Sequence, residues 1–342
     1  MVTIADVAAR AGVGAGTVSR VLNDRPKVSP GTRARVLAAI EILDYRPNPL
    51  ARGLSLGRCQ TLGVVVPFFT SPSAVERLRG VAVAMRARQY DLVLFNVESP
   101  VHRDEHLTAL AGRERAAGLL VMSLPLPTRD LDRLREAQVP VVLVDTSASR
   151  APCVVTDDVL GGRLATQHLV DLGHRTIAFI GDSPDNEFGF TSSAARQQGC
   201  EQVLREAGLA VGRGHVRHGP HEEVVGRRLA EQLLGSSSPP TAIFAASDVL
   251  AIGVLEAARA AGLRVPGDLS VVGFDDIEAA AYVGLTTVHQ PLFESGRMGA
   301  ALLLDALDGG GLTDERHELP LRLVERSTVA APSSLSKAGS RG

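Results

Sequence analysis

From Thr61 onward the chain repeats one texture. Short β-rich apolar runs (TLGVVVP, YDLVLFN, AGLLVMS, VPVVLVD, CVVTD, RTIAFIG, TAIFAAS and LSVVGFD) alternate with stretches whose apolar residues fall at helical spacing. Such alternation predicts an α/β fold with parallel strands, because a parallel strand needs a helical crossover to bring the chain back. The runs are apolar on both faces, as strands covered by helices on either side should be. About 270 residues of this pattern are more than one simple core holds, so two doubly wound parallel-sheet lobes are expected over 61-331. The tail, 332-342, reads SSLSKAGSRG after Pro332 and is expected to be disordered.

The first sixty residues differ in both charge and pattern. They carry nine Arg or Lys against Asp6, Asp24, Glu41 and Asp44, a local charge of +5, which leaves −7 for the rest of a chain whose formal total is −2. An anionic partner should therefore meet this segment. Thr3 and Asp6 have the spacing of a capping box, Ile4, Val7, Ala8 and Ala11 form a helical stripe, and Gly12 can end it. A second short helix is expected over 15–22, with Val18, Val21 and Leu22 turned inward. A third opens at Ser29-Pro30 and places its stripe at Val36, Leu37, Ile40 and Leu43. Asn48-Pro49 looks like the start of a further brief helix, so 1-46 reads as a head and 47-60 as a hinge helix or linker.

Two short helices joined by a tight glycine turn in a basic segment form a helix-turn-helix, whose second helix enters the major groove. The segments TIADVAARAGVGAGTVSRVLN and VSPGTRARVLAAIEILDYRPNPLARGL make the chain resemble the lactose repressor family of transcriptional regulators. That resemblance implies a homodimer binding a palindromic operator in double-stranded DNA. It implies base reading by Arg20, with Ala15 and Gly16 at the other reading positions, and backbone contacts from Thr3, Thr17, Ser19, Asn23 and Lys27. Tyr45, Asn48 and Ala51 match further DNA-contacting positions near the hinge, and Leu54 matches the leucine that wedges between base pairs from the minor groove. Gly14, Gly16 and Gly53 depart from the family pattern, and a glycine inside a helix costs up to about 1 kcal/mol relative to alanine.

The resemblance continues through HLVDLGHRTIAFIG, PPTAIFAASDVLAIG, AGLRVPGDLSVVGFDDI, LTTVHQP and LPLRLVERST. It implies a periplasmic-binding-protein-like domain whose two lobes close on a small-molecule effector, a sugar or related metabolite. Arg196 matches the family's ligand-binding arginine and Asp275 its carboxylate partner. Phe68, Thr70, Asp145, Ser247, Asp248 and Leu292 match other pocket positions, and His221 falls where an aromatic is common. Here the first-lobe loop reads PFFTSPSAVERL instead of carrying an acid and then Asn-Pro-Phe-Phe.

Other chemistries fit less well. Gly12-x-Gly14-x-Gly16 has glycine-loop spacing, but a helix precedes it where a nucleotide loop needs a strand. His102 and His106 stand four apart on an expected helix, while His215, His218 and His221 recur in a Gly-rich stretch. Without cysteines or an H-E-x-x-H pattern they read as solvated, so no metal or cofactor is expected. The chain has no G-x-S-x-G elbow and no P-loop lysine, and the acids of Asp157-Asp158 and Asp275-Asp276 should diverge, so an enzyme is not expected. Three cysteines lie far apart, no apolar run approaches a bilayer's thickness, and the N-terminus lacks a signal-peptide pattern; a cytoplasmic protein is expected.

Overall fold

The computed structural model describes residues 2–22, 25–45, 61–86, 88–111, 116–209 and 212–333. The chain divides into two compact units, Met1–Gln60 and Thr61–Gly342. The expected hinge (47-60) and tail residues 334–342 lie outside the described residues.

In the smaller unit, α1 (Ile4–Ala11) begins with a full capping box, Thr3 and Asp6 bonding reciprocally, and stops at Gly12 with φ +64°. A Cβ there would be strained in this left-handed conformation, so glycine fits the turn. Helix α2 (Ala15–Leu22) follows. Helix α3 (Pro30–Ile42) starts from Ser29, whose hydroxyl accepts from the Thr32 N–H. Val7, Ala8, Ala11, Val18, Val21, Val36 and Ala39 make the core. The expected stripe of α3 is wrong at Leu37, which is half exposed. Val36, Ala39 and Ile40 share the inward face, and Leu37 lies about 100° round the helix from Val36.

The larger unit begins with a lobe built from β1 (Thr61–Pro67), α4 (Pro72–Arg86), β2 (Asp91–Val97), α5 (Pro100–Leu110), β3 (Gly118–Met122), α6 (Thr128–Glu136), β4 (Val141–Val144) and β5 (Cys153–Val155). The chain then crosses to a second lobe: α7 (Asp158–Asp171), β6 (Ile177–Gly181), α8 (Ser192–Glu206), β7 (Val216–His218), α9 (Glu223–Leu234), β8 (Ala242–Ala245), α10 (Asp248–Ala260), β9 (Ser270–Asp275), α11 (Glu278–Tyr282) and β10 (Thr286–His289). Two further crossings return α12 (Leu292–Asp305) and β11 (Arg316–Glu318) to the first lobe, then β12 (Arg322–Val324) to the second. The sheets run β11-β5-β4-β3-β1-β2 and β12-β10-β9-β8-β6-β7, parallel except for β10 with β12. Strand β2 departs from the two-faced pattern: at the sheet edge its Leu92 and Val93 are partly exposed. Both sheets reverse strand order, at β1/β3 and at β6/β8, and such a switch opens a crevice at the strands' carboxyl ends.

Three helix pairs close on facing glycines. A Cβ on Gly162 of α7 would lie 2.0 Å from the Arg196 carbonyl oxygen of α8, and one on Gly199 would lie 2.1 Å from that of Val159. Gly80 and Gly296 join α4 to α12 in the same manner, as Gly226 and Gly253 join α9 to α10. Because the opposing atoms are backbone, no rotamer change relieves such a clash. Gly162→Ala should therefore destabilise the larger unit by about 1–3 kcal/mol despite alanine's better helix propensity. Urea denaturation measures it, and an unchanged midpoint would show that α7 and α8 can separate at no cost.

Candidate functional site

On α2, Ala15, Gly16 and Arg20 are exposed, while Thr17 and Ser19 are half-buried. The Arg20 Nη2 atom lies 3.8 Å from where a Gly16 Cβ would stand, so the guanidinium lies back along the helix over the glycine. Lys27 is exposed beyond the helix, and Tyr45 packs part-buried on the head's core. The Thr3 hydroxyl donates to Asp6 Oδ2 at 2.8 Å, so capping occupies it. Asn23, Asn48, Ala51 and Leu54 lie outside the described residues.

In the larger unit the carboxyl ends of four strands turn sharply. Phe68 after β1, Ser123 after β3, Asp145 after β4 and Asp275 at the end of β9 have φ of +47°, +51°, +60° and +114°. Left-handed conformations at non-glycine residues are uncommon and cost free energy, and clustering at strand ends is characteristic of a binding site. A buried polar chain runs between the lobes there. Arg77 of α4 pairs with Asp145 at 2.8 Å, and Asp145 also accepts from the Ser123 hydroxyl (2.7 Å) and from Gln290 Nε2 (2.8 Å). The Oε1 of Gln290 accepts from Arg196 Nη2 at 3.4 Å. Arg196 further donates from Nε to Asp158 (2.8 Å) and from Nη1 to the Ala246 carbonyl (2.7 Å), and its guanidinium lies 3.6 Å over the Phe274 ring. That stacking adds a cation–π attraction.

Arg196 has its own ion-pair partner in this geometry. Its carboxylate is Asp158, at the start of α7, which the glycine contact draws against α8. Asp275 is buried, and its carboxyl makes no hydrogen bond among the described residues; burial pushes its pKa up to about 6, against the pull of Arg196 and Arg77. It is thus a separate, unused acceptor. Asp276 turns away to His289 (3.0 Å) and Arg326, and Asp157 caps α7.

The other expected pocket residues divide. Phe68 is half exposed and meets Phe188 edge-on at 5.5 Å, and Thr70 is exposed on the same loop. Ser247 is buried and caps α10, accepting from the Leu250 N–H. Leu292 is buried at the start of α12 beside Gln290, so it supports that residue and presents almost no surface. His221 is accessible, though the protein crowded around it and the Arg196 cation both hold its pKa down. Of the other histidines expected to be solvated, His218 is exposed at the end of β7 and meets Gln197, and His215 is half-buried in a 3₁₀ turn and meets Ser238. No group of three or more metal-ligating residues converges among the described residues. Arg77, Asp158 and Gln290 were not singled out from sequence as site residues; Gln290 stands directly after a strand, the one local signal of the three.

A small basic helical head followed by two doubly wound lobes around a polar cleft defines a ligand-responsive DNA-binding transcriptional regulator. Residues 3–48 match the model of bacterial regulatory proteins of the lacI family, and residues 166–329 match a periplasmic binding protein-like domain. The chain is 35% identical over 335 residues to the ribose operon repressor of Escherichia coli K12, covering 96% of this chain and 100% of that one. Among solved structures it is similar to a transcriptional regulator CelR–cellobiose complex (TM-score 0.70, 34% identity, 96% and 100% coverage). It is also similar to the Lac repressor dimer bound to operator and the anti-inducer ONPF (TM-score 0.83, 29% identity, 96% and 99% coverage). The chain belongs to the lacI family of bacterial regulatory proteins. No described helix is long and apolar enough to cross a membrane.

Proposed function

We propose that this regulator works in the cytoplasm as a homodimeric repressor, without enzymatic activity, and that its cleft takes an uncharged polyhydroxyl ligand such as a sugar. The observation that carries the ligand class is Asp275, whose buried carboxyl has no hydrogen-bond partner among the described residues and lies beside two guanidinium groups already matched by Asp145 and Asp158. A carboxylate placed so can accept from two hydroxyls, while an anionic ligand would meet an unmatched negative charge. Cellobiose in the solved complex of a relative supports that class. In the head, Arg20, Ala15 and Gly16 face base edges and Thr3, Thr17, Ser19, Asn23 and Lys27 hold the backbone, while Tyr45, Asn48 and Ala51 add DNA contacts near the hinge and Leu54 wedges between base pairs from the minor groove.

A shift assay on palindromic duplexes, with and without neutral sugars, tests this reading. Affinity should fall steeply with salt as phosphate contacts release counterions, and a sugar should alter it at fixed salt. Arg20→Ala should lose about 1–3 kcal/mol of discrimination at one base position per half-site. An equal loss on every duplex would remove Arg20 from base reading, and binding insensitive to salt would remove the head from DNA altogether.

A further inference from the structure

The loop joining β6 to α8 leaves the second lobe and inserts into the first. Its Phe188 is 5% exposed and belongs to a core cluster whose other buried members all lie between Val65 and Val155, in the opposite lobe. Phe190 packs against the same cluster and stacks on Phe188 at 5.1 Å, with 13° between the rings. Phe68 closes on Phe188 edge-on from the first lobe. Asn186 makes the loop compact: its Nδ2 donates to the Ser183 and Phe190 carbonyls (3.0 and 2.9 Å), and its Oδ1 accepts from the Phe190 N–H (2.7 Å). The loop therefore has little slack.

From this we infer that segment 183–190 is a strap built into the second lobe, which holds the two lobes together before any ligand arrives. Gln290 is a tie of a different kind, since it sits in a crossover that itself joins the lobes. Phe188 belongs to none of the crossovers, lying between β6 and α8 within the second lobe, so the lobes can part only if its ring leaves the first lobe's core or Asn186 gives up its bonds. The closed state is accordingly favoured in the empty protein, and ligand entry requires the strap to undock. Removing one buried aromatic ring should shift the open-to-closed ratio roughly 10- to 100-fold toward open. This inference does not depend on the identity of the ligand.

The test uses the full-length, ligand-free protein. Spin labels on cysteines introduced at exposed Val101 and Arg205, one per lobe, with Cys59→Ser removing one native thiol and Cys153 and Cys200 buried, report the interlobe distance. Hydrogen exchange reports the Gly189 and Phe190 amides, which donate to Asn186. The expected result is one short distance population and slow exchange in the parent, with a longer population and roughly 10- to 100-fold faster exchange in Phe188→Ala. Phe188→Leu, which keeps an apolar plug, should fall between and stands in if the alanine variant does not fold. An unchanged interlobe distance in both variants, or fast exchange at Gly189 and Phe190 in the parent, overturns the strap.

Discussion

Replacing Arg196 by alanine is expected to destabilise the larger unit by up to about 3–5 kcal/mol at neutral pH, because it leaves the half-buried carboxylate of Asp158 without its cation. Asp158 already has its pKa raised by burial, with Arg196 the main opposing influence. Without the guanidinium, Asp158 must either take up a proton or remain charged in a site that has lost its compensation. The Ala246 carbonyl loses its donor in the same step, Gln290 loses the link to the second lobe, and the Phe274 ring loses the cation over its face. Arg196→Lys keeps the charge but cannot reach three acceptors at once, so it should recover only part of the loss. Denaturant titration of both variants settles it: a cost below about 1 kcal/mol for the alanine variant would mean that water replaces the guanidinium and that the polar chain is not structural.

That chain also marks where sequence reading succeeds and where it stops. Caps are local, so Thr3 with Asp6, Gly12, and Ser29 with Pro30 are legible from spacing alone, and the structure has each of them. Long apolar runs are legible as strands, but strand order is not, which is why β2 was expected to be covered on both faces and instead lies at an edge with Leu92 and Val93 partly exposed. The short strands β7, β11 and β12 hold charged or histidine side chains among their three residues and so lack the apolar run that marks the equally short β5. Leu37 falls outside the buried stripe of α3 because a single position turns a side chain about 100° round the helix. At the cleft, Arg196 and Asp275 were reached through family resemblance. Arg77 looks like any solvated helix arginine in sequence, and Asp158 looks like half of an acidic pair. Each becomes a site residue only once a glycine contact has set its helix against another, through Gly80 and Gly296 for Arg77 and through Gly162 and Gly199 for Asp158. Phe188, on an irregular loop, has no periodicity that could reveal which lobe buries it.

Stability should fall as the protein is taken from about pH 6 to about pH 8, with Asp248 the main cause. This carboxyl is wholly buried at the first position of α10, where one oxygen accepts from the Thr287 hydroxyl (2.6 Å) and the other from the Ile277 N–H (2.9 Å). Burial, and then the neighbouring Asp275, push its pKa up to about 8. An unfolded aspartate releases its proton near about 3.9. Between those two values the folded state keeps a proton that the unfolded state has lost, so stability is greatest below the lower value and declines up to the higher one, by at most about 1.4 kcal/mol per pH unit. Asp275, raised to about 6, adds to the slope only in the lower part of the window. Asp248→Asn isolates the effect, since the amide oxygen can accept from Ile277 while the NH₂ donates to the Thr287 hydroxyl, and the side chain no longer titrates. Urea midpoints for the two proteins should therefore diverge as pH rises toward about 8 and run parallel above it, once the folded carboxyl has ionised. If the parent shows no decline over that range, or the asparagine variant declines as steeply, Asp248 is charged at neutral pH and water must reach the base of α10.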